Sequence, residues 1–348
     1  MIDRPDSLPF PTKRAPFGRR LKQAACALFL LVASHSALES PALADGVVQV
    51  DNPVAAFQAR EAQLFAIGYR LATTNAPFCE RKAITRGVLV HDARAYSASK
   101  IVRDALGLSG DIGVQAVAVG SPADAAGLRQ NDTLLSIDGS LIDQMPWAEE
   151  RKWERATVIN AELASPQALD LQWRGSAGKV STATILPTIA CASAFELVSG
   201  NDKAIADGSR VLIGADFPGF AYPEDEFAAA IAHEMAHNLL GHLDYLEAVG
   251  RKRSLVRLSE RDADRLMPWL LANTGYDPQA AVRFMQRYGP RHGGGLFRKR
   301  THDGWDERVE FIKDEVGRLE RMQSPEGGEV FDWSTKFDRM LDTTRLED

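Results

Sequence analysis

The sequence has little cysteine, no excess of basic residues and no apolar run long enough to cross a bilayer comfortably. Its 348 residues include 41 Lys and Arg against 47 Asp and Glu, which gives a formal charge of −6. Because no basic stripe stands out, nucleic acid is not a predicted partner. The composition, 45% hydrophobic and 25% charged, is that of a globular protein long enough for two domains.

The apolar run nearest to a membrane span is short and lies close to the N-terminus. It reads "AACALFLLVAS", follows several Arg and Lys residues, and is followed by "PALA", which ends at Ala44. This layout is typical of a secretory signal peptide over residues 1–44 and predicts a periplasmic or secreted protein. An uncleaved anchor is the alternative, although the run is too short for a stable membrane span. The remaining chain has 35 basic and 44 acidic residues, a net charge of −9 that argues against anionic membranes as partners.

Only three cysteines occur, and one of them, Cys26, lies within the predicted signal peptide. Cys79 and Cys191 remain as an even pair in a protein expected to be exported. This predicts one disulfide between them. Two buried free thiols are the alternative.

Periodicity and turn residues predict an α+β protein that is mainly helical in its second half. Residues 53–74 have helical spacing, whereas residues 113–142 alternate like short strands. A polar helix at about 146–164 and a hairpin turning at 175–178 follow. Further on, Pro223 is predicted to open one helix, and Ser259 is predicted to cap another over about 259–273.

The helix after Pro223 carries the motif "HEMAH", residues 233–237. Residues four apart project from one side of a helix, so His233 and His237 can direct a ring nitrogen each at one metal ion. Nitrogen ligands in this arrangement suit Zn²⁺, and Glu234 is placed to take a proton from the attacking water. An ordinary helix with two histidines satisfied by other contacts is the alternative.

A catalytic zinc ion needs a third protein ligand. A histidine six residues after the second one would supply it in metzincins, but here Gly241 and His242 stand four and five residues on. We therefore predict Glu260 as the ligand, with Asp264 accepting the N–H of a ligand histidine. Asp262 faces another direction and is the weaker candidate, and an exposed, charged helix start is the alternative.

Peptide hydrolysis also needs a donor for the negative charge that develops on the carbonyl oxygen. The candidates are His302, as a further catalytic residue, and Arg308, as the group that contacts substrate or oxyanion. His292 is a poorer candidate. For each of them the alternative is an ordinary surface residue.

These motifs together resemble the M48 family of zinc metallopeptidases. "HEMAH" and "ERDAD" (residues 260–264) are similar to the family's HExxH and ExxxD, and "THDGWDER" (301–308) resembles its HPxxxxR segment, with Asp303 where proline is usual. The resemblance covers about residues 53–100 and 188–325. It implies a zincin-type metalloprotease domain, one Zn²⁺ per chain and protein or peptide substrates.

The intervening block resembles a bacterial PDZ domain, on the run "GSPADAAGLRQNDTLLSIDG" at residues 120–139. Such a domain would bind peptide C-termini, with the carboxylate loop expected near residues 106–113. A structural or regulatory insert with an occluded groove is the alternative. In chain order, the implied domains are a signal peptide (1–44), the first part of the peptidase domain (45–104), an inserted β-rich PDZ-like domain (105–187), the catalytic domain (188–325) and a C-terminal tail (326–348).

Three functions compete. The first is an exported zinc endopeptidase that acts on envelope or misfolded proteins and uses the PDZ-like domain for recruitment or regulation. The second is a binding or adaptor protein on a catalytically silent peptidase fold, and the third is a zinc hydrolase of other substrates. The intact set of His233, Glu234, His237 and Glu260 favours the first.

Overall fold

The computed structural model describes residues 53–145, 151, 154–292, 303–322 and 330–342, and this part of the chain is an α+β protein, as predicted. The helices are α1 (Pro53–Thr74), α2 (Ser99–Leu106), α3 (Pro122–Ala125), α4 (Glu154–Leu163), α5 (Glu224–Leu239), α6 (His242–Val249), α7 (Arg253–Thr274), α8 (Gln279–His292), α9 (Trp305–Met322) and α10 (Trp333–Lys336). The strands are β1 (Lys82–Thr85), β2 (Val88–Asp92), β3 (Ile112–Val117), β4 (Thr133–Ile137), β5 (Ser140–Leu141), β6 (Leu169–Arg174), β7 (Val180–Ile185), β8 (Thr188–Cys191), β9 (Ala194–Val198), β10 (Ala204–Ala206) and β11 (Arg210–Gly214). Among these described helices, none combines the length and the apolar character that a bilayer crossing requires. The predicted signal peptide lies outside the described residues.

Helix α5 forms the centre of the helical region. It begins directly after Pro223, and three acidic residues in its first turn face the positive end of the helix dipole. The helix is rich in alanine, and Phe227 and Ile231 are fully buried. Alanine leaves room for close helix packing, and α5 makes its most extensive contacts with α7. The helix that carries the histidines is therefore held rigidly on several sides.

Helix α7 begins at Arg253, six residues earlier than predicted, and the prediction that Ser259 caps it is wrong. Ser259 lies inside the helix, where its hydroxyl donates to the carbonyl oxygen of Val256 at 2.8 Å. The two extra turns form because their apolar residues pack on a small core that contains Tyr245 and Leu341. Glu260 and Asp264 consequently project from the middle of a rigid helix instead of its first turn.

A six-stranded antiparallel sheet, which we call the sheet module, spans residues 88–185. Its strand order is β2-β3-β4-β6-β7, with β5 paired to β4. The predicted hairpin is confirmed as β6 and β7, and Gly178 takes the positive φ of +81° that its turn requires. The core of the module contains Leu171, Trp173 and Ile159 from α4.

The chain leaves and rejoins the helical region through paired segments on either side of the sheet module. Strand β1 pairs with β8, and Cys79 and Cys191, the predicted pair, are joined by a disulfide with their Cα atoms 5.5 Å apart. Helix α1 packs on β3 of the module, where the Gln58 amide donates to Asn131 at 2.8 Å. The module is thus fastened at its base and along one side.

Candidate metal centre and a second cleft

Three side chains from α5 and α7 meet at one point. The Nε2 atom of His233 lies 3.3 Å from Nε2 of His237 and 3.4 Å from Oε2 of Glu260. His237 Nε2 lies 3.6 Å from Oε1 of the same carboxylate. These residues can hold a metal ion, because each offers a ligand atom close to the other two. The structure therefore brings the three predicted ligands together.

The outward nitrogen of His233 faces a buried ion pair. Its Nδ1 lies 3.1 Å from Oδ1 of Asp264, and the same carboxylate accepts two hydrogen bonds from Arg308 at 2.6 and 2.7 Å. Burial alone would lower the pKa of His233, but Asp264 and Glu260 outweigh it and raise that pKa to about 10. Burial by itself would raise the pKa of Asp264, but Arg308 and His233 lower it. Asp264 is therefore an anion that orients the His233 ring.

The outward nitrogen of His237 faces a residue that sequence reasoning did not assign. His242 Nδ1 lies 3.0 Å from His237 Nδ1. Gly241, with a φ of +68°, turns the chain back after α5. His242 therefore starts α6 beside His233, His237 and Glu260, which we call the metal-ligand cluster. Burial, reinforced by His237, lowers the pKa of His242. The sequence signal for this contact is the run "HNLLGH", in which a glycine directly precedes the third histidine. Its spacing alone does not distinguish a metal ligand from a residue that supports a ligand.

Glu234 lies at the same cavity on the side of strand β10. The backbone N–H of Ala206 donates to its carboxylate, which steadies the charged form. Burial nevertheless raises the pKa of Glu234, and the neighbouring carboxylate of Glu260 adds to the effect. The cavity measures about 350 Å³ and is also lined by apolar side chains, among them Phe217, Phe284 and Met285. A carboxylate with a raised pKa that faces an open cavity is a stronger proton acceptor than an ordinary glutamate.

Of the remaining candidate residues, Arg308 lies at the cavity, Asp262 lies away from it, and two histidines are outside the description. Arg308 lines the cavity, but its Nε and Nη2 atoms are engaged by Asp264. Asp262 is directed away from the cavity and accepts the backbone N–H groups of Met340 and Leu341, which fastens the C-terminal segment to α7. His302 and the side chain of His292 lie outside the described residues.

Asp303, which stands where the M48 pattern has proline, has a structural partner. Its carboxylate accepts hydrogen bonds from Arg261 at 2.5 and 3.1 Å. This bidentate pair joins α7 to the segment before α9. The ion pair thus fastens the segment before α9 to the helix that carries Glu260.

A second cleft, between β2 and α4 in the sheet module, is closed. Strand β2 is the edge of its sheet, and α4 lies along its outer side. The side-chain amide of Asn160 on α4 donates to the Val90 carbonyl at 2.9 Å and accepts from the Val90 N–H at 3.0 Å. A peptide strand cannot pair with β2 at Val90 without displacing this amide.

Polar contacts also close both ends of the β2/α4 cleft. At one end Arg155 Nε lies 2.8 Å from Oδ2 of Asp92, and both side chains are buried. At the other end the guanidinium of Arg86 donates to the carbonyl oxygens of Leu163 and Ser165 at 2.5 and 3.0 Å. Three separate contacts therefore hold α4 against the strand.

The segment predicted as the carboxylate loop, residues 106–113, is occupied by ion pairs of its own. Asp111 lies 2.6 Å from Arg103 and 2.7 Å from Arg94, and it is nearly buried. Leu108 in the same segment packs in a small core with Val102. An anion already fills the basic environment that a peptide carboxylate would seek.

Comparisons with known proteins add no relatives. No model of a known protein family matches the chain, and no curated protein matches it. The resemblances to M48 peptidases and PDZ domains accordingly stay predictions that are based on motifs.

Proposed function

We propose that this chain is an exported zinc-dependent endopeptidase of the zincin type that hydrolyses peptide bonds in envelope or misfolded proteins. The observation that carries the proposal is the convergence of His233, His237 and Glu260, with Glu234 at the same cavity. A catalytically silent adaptor is the alternative, but such a protein has no need to keep both a complete ligand set and the adjacent base.

The donor set suits zinc. Ligands about 2.0–2.1 Å from a tetrahedral ion are about 3.3–3.4 Å from one another, close to the three separations of 3.3, 3.4 and 3.6 Å. Two imidazoles and one carboxylate are a common ligand set for catalytic zinc, whereas Mg²⁺ and Ca²⁺ prefer oxygen ligands. Three protein ligands also leave a coordination position for solvent or substrate.

In the proposed reaction, a zinc ion held by His233, His237 and Glu260 would supply a Lewis acid that polarises the scissile carbonyl and would lower the pKa of the attacking water towards about 7. Glu234 takes the proton from the attacking water and passes it to the leaving amine. Asp264 holds His233 in the orientation required of a ligand, and Arg308 keeps Asp264 ionised. His302 stays a predicted catalytic residue for the oxyanion.

Strand β10 supports a peptide as the substrate. It is an edge of its three-stranded sheet, and Ala204, Ile205 and Ala206 line the cavity beside Glu234. An extended peptide can add to such an edge through backbone hydrogen bonds, which would bring a scissile bond past the metal ligands.

The sheet module, in this proposal, is a PDZ-like domain with a closed groove. The contacts of Asn160, Arg155 and Arg86 across the β2/α4 cleft support a structural or regulatory role over constitutive binding of peptide C-termini. Recruitment of substrate would then depend on the opening of this cleft.

The test combines metal content with proteolysis. Wild-type protein and Glu234→Gln should each contain one zinc ion per chain, but only the wild type should cleave casein, with the variant reduced by roughly 10²–10⁴-fold. Glu247→Gln, an exposed substitution on the neighbouring helix α6, is the matched control and should retain activity. Removal of zinc with a chelator should abolish cleavage. Undiminished cleavage by Glu234→Gln would contradict the mechanism.

A further inference from the structure

The contact between His237 and His242 determines where the protons on these two rings lie. Their Nδ1 atoms are 3.0 Å apart, and the ring planes meet at 75° with centroids 5.0 Å apart. One Nδ1 must therefore donate a proton and the other must accept it. The other nitrogen of His237, Nε2, faces His233 and Glu260.

A histidine binds a metal ion through a nitrogen that carries no proton. If His237 uses Nε2, its proton lies on Nδ1, and His242 Nδ1 is the acceptor. We propose that His242 is a positioning residue, which holds His237 in the tautomer and the ring orientation that present the Nε2 lone pair to the metal. This inference deepens the proposed function, since it depends on the metal site at His233, His237 and Glu260.

The two ligand histidines are thereby supported in two different ways. His233 faces the carboxylate of Asp264, whose charge is balanced by Arg308. His237 faces an imidazole ring, whose Nδ1 atom can accept a hydrogen bond without adding another carboxylate near Glu260. The cluster keeps a low total charge, which is an advantage where burial penalises every unbalanced ion.

The burial of His242 is a second observation in favour of a specific role. Its side chain is only 1% exposed, and its Nε2 atom has no hydrogen-bond partner among the described residues. A leucine or phenylalanine would fill this space without burying an unsatisfied nitrogen. A polar ring buried in spite of that cost points to the hydrogen-bond contact that it makes within the described part of the chain, the contact to His237.

Two substitutions distinguish the hydrogen-bond acceptor of His242 from the volume of its side chain. His242→Asn keeps an oxygen close to the position of Nδ1, whereas His242→Leu keeps apolar volume and removes the acceptor. We expect His242→Leu to weaken zinc binding by about 10–100-fold in a competition titration with a chromophoric chelator, and His242→Asn to recover most of the loss. The absorption spectrum of the Co²⁺-substituted protein should change in parallel, since it reports ligand geometry.

A ¹H–¹⁵N correlation spectrum of the zinc-loaded wild type provides a second test, which does not depend on whether a variant folds. It should place the His237 proton on Nδ1 and the His242 proton on Nε2. The inference is overturned if His242 carries its proton on Nδ1, if His242→Leu binds zinc as tightly as the wild type, or if His242→Asn loses as much affinity as His242→Leu.

The same measurements distinguish this inference from the proposed function. Wild-type protein that binds zinc and cleaves casein, together with an unaffected His242→Leu, would end the role of His242 and leave the peptidase proposal standing. If His242→Leu binds zinc more weakly but the wild type does not cleave casein, the role of His242 is supported and the peptidase proposal is contradicted. A wild type that binds no zinc would overturn both.

Discussion

The metal-ligand cluster and the β2/α4 cleft both contain buried polar side chains, but the first borders a cavity, whereas the second is closed by contacts across it. In the first, His233, His237 and Glu260 direct ligand atoms at a common point beside a cavity of about 350 Å³. In the second, Asn160 and Arg155 on α4 each bond to a group on β2 directly across the cleft. Buried polar groups that converge on a cavity can bind a ligand, whereas groups that satisfy one another form a clamp.

The ion pairs behind the two clefts allow this comparison to be tested directly. Asp264–Arg308 and Asp92–Arg155 are both buried Asp–Arg pairs, with closest distances of 2.6 and 2.8 Å. Only Asp264 also contacts a predicted metal ligand. The two pairs should therefore contribute alike to stability and differently to metal binding.

The largest effects are expected from Asp264→Asn and Asp92→Asn. Each removes the nearest anion from a buried guanidinium and should lower the free energy of unfolding by about 3–5 kcal/mol. Arg155 keeps Asp111 at 3.8 Å, so the loss in Asp92→Asn should lie at the lower end of this range. Only Asp264→Asn should also weaken zinc binding, by roughly 10–100-fold, because His233 loses the acceptor that orients it. Chemical denaturation and zinc titration provide the two readouts. Equal loss of zinc affinity in Asp92→Asn would mean that the closed cleft is coupled to the metal site.

A smaller effect, restricted to acid, is expected from His91 on strand β2. Its ring is 8% exposed and has no hydrogen-bond partner in the described chain, and burial lowers its pKa to about 4. Above the unfolded pKa of about 6.5 the ring is neutral in both the folded and the unfolded state, so its protonation does not change the free energy of unfolding. As the pH falls from 6.5 towards 4, the unfolded state takes up the proton first, and stability should decline by up to roughly 3 kcal/mol.

Replacing His91 with leucine should remove this loss. Stability would be measured by denaturation at pH 7.5 and pH 4.5 for both proteins. The difference between the two pH values should be smaller in His91→Leu, while other acid-sensitive groups continue to contribute equally to both. An identical difference in the two proteins would show that His91 is not the source.

The smallest effect is expected from Asn160→Leu. The substitution leaves the N–H and carbonyl of Val90 without their partner and should cost about 1–3 kcal/mol. It should also speed amide hydrogen exchange at Val90, which reports opening of the cleft. Val158→Ala, an exposed position on the same helix, is the control and should change neither quantity. Unchanged exchange at Val90 would argue that α4 stays closed without the amide.

The elements that were predicted well depend on local pattern. Helix α1 begins at Pro53 and ends at Thr74, as its apolar spacing indicated, and the β6–β7 hairpin turns at the predicted glycines. The predicted metal ligands His233 and His237 could be identified in the same way, because four residues along a helix correspond to about one turn. Glu260 could be inferred only because the chemistry of zinc requires a third ligand.

The features that were missed depend on contacts between distant parts of the chain. Asn160 and Val90 are 70 positions apart, and nothing local to either residue indicates that they meet. The start of α7 was misplaced because Ser259 is a good capping residue, and the apolar partners that extend the helix come partly from the C-terminal segment. The role of His242 could not be predicted because its spacing does not match that of a metzincin ligand, whereas the turn at Gly241 directs its ring to His237.

The disulfide marks a place where the sheet module can be cut out of the chain. Cys79 and Cys191 enclose the entire sheet module, yet their Cα atoms are only 5.5 Å apart. A link of a few residues is therefore long enough to bridge the gap if everything between them is excised. Casein cleavage by such a shortened chain would test whether the helical region folds and carries the proposed activity without the sheet module, and whether the module slows or promotes that activity.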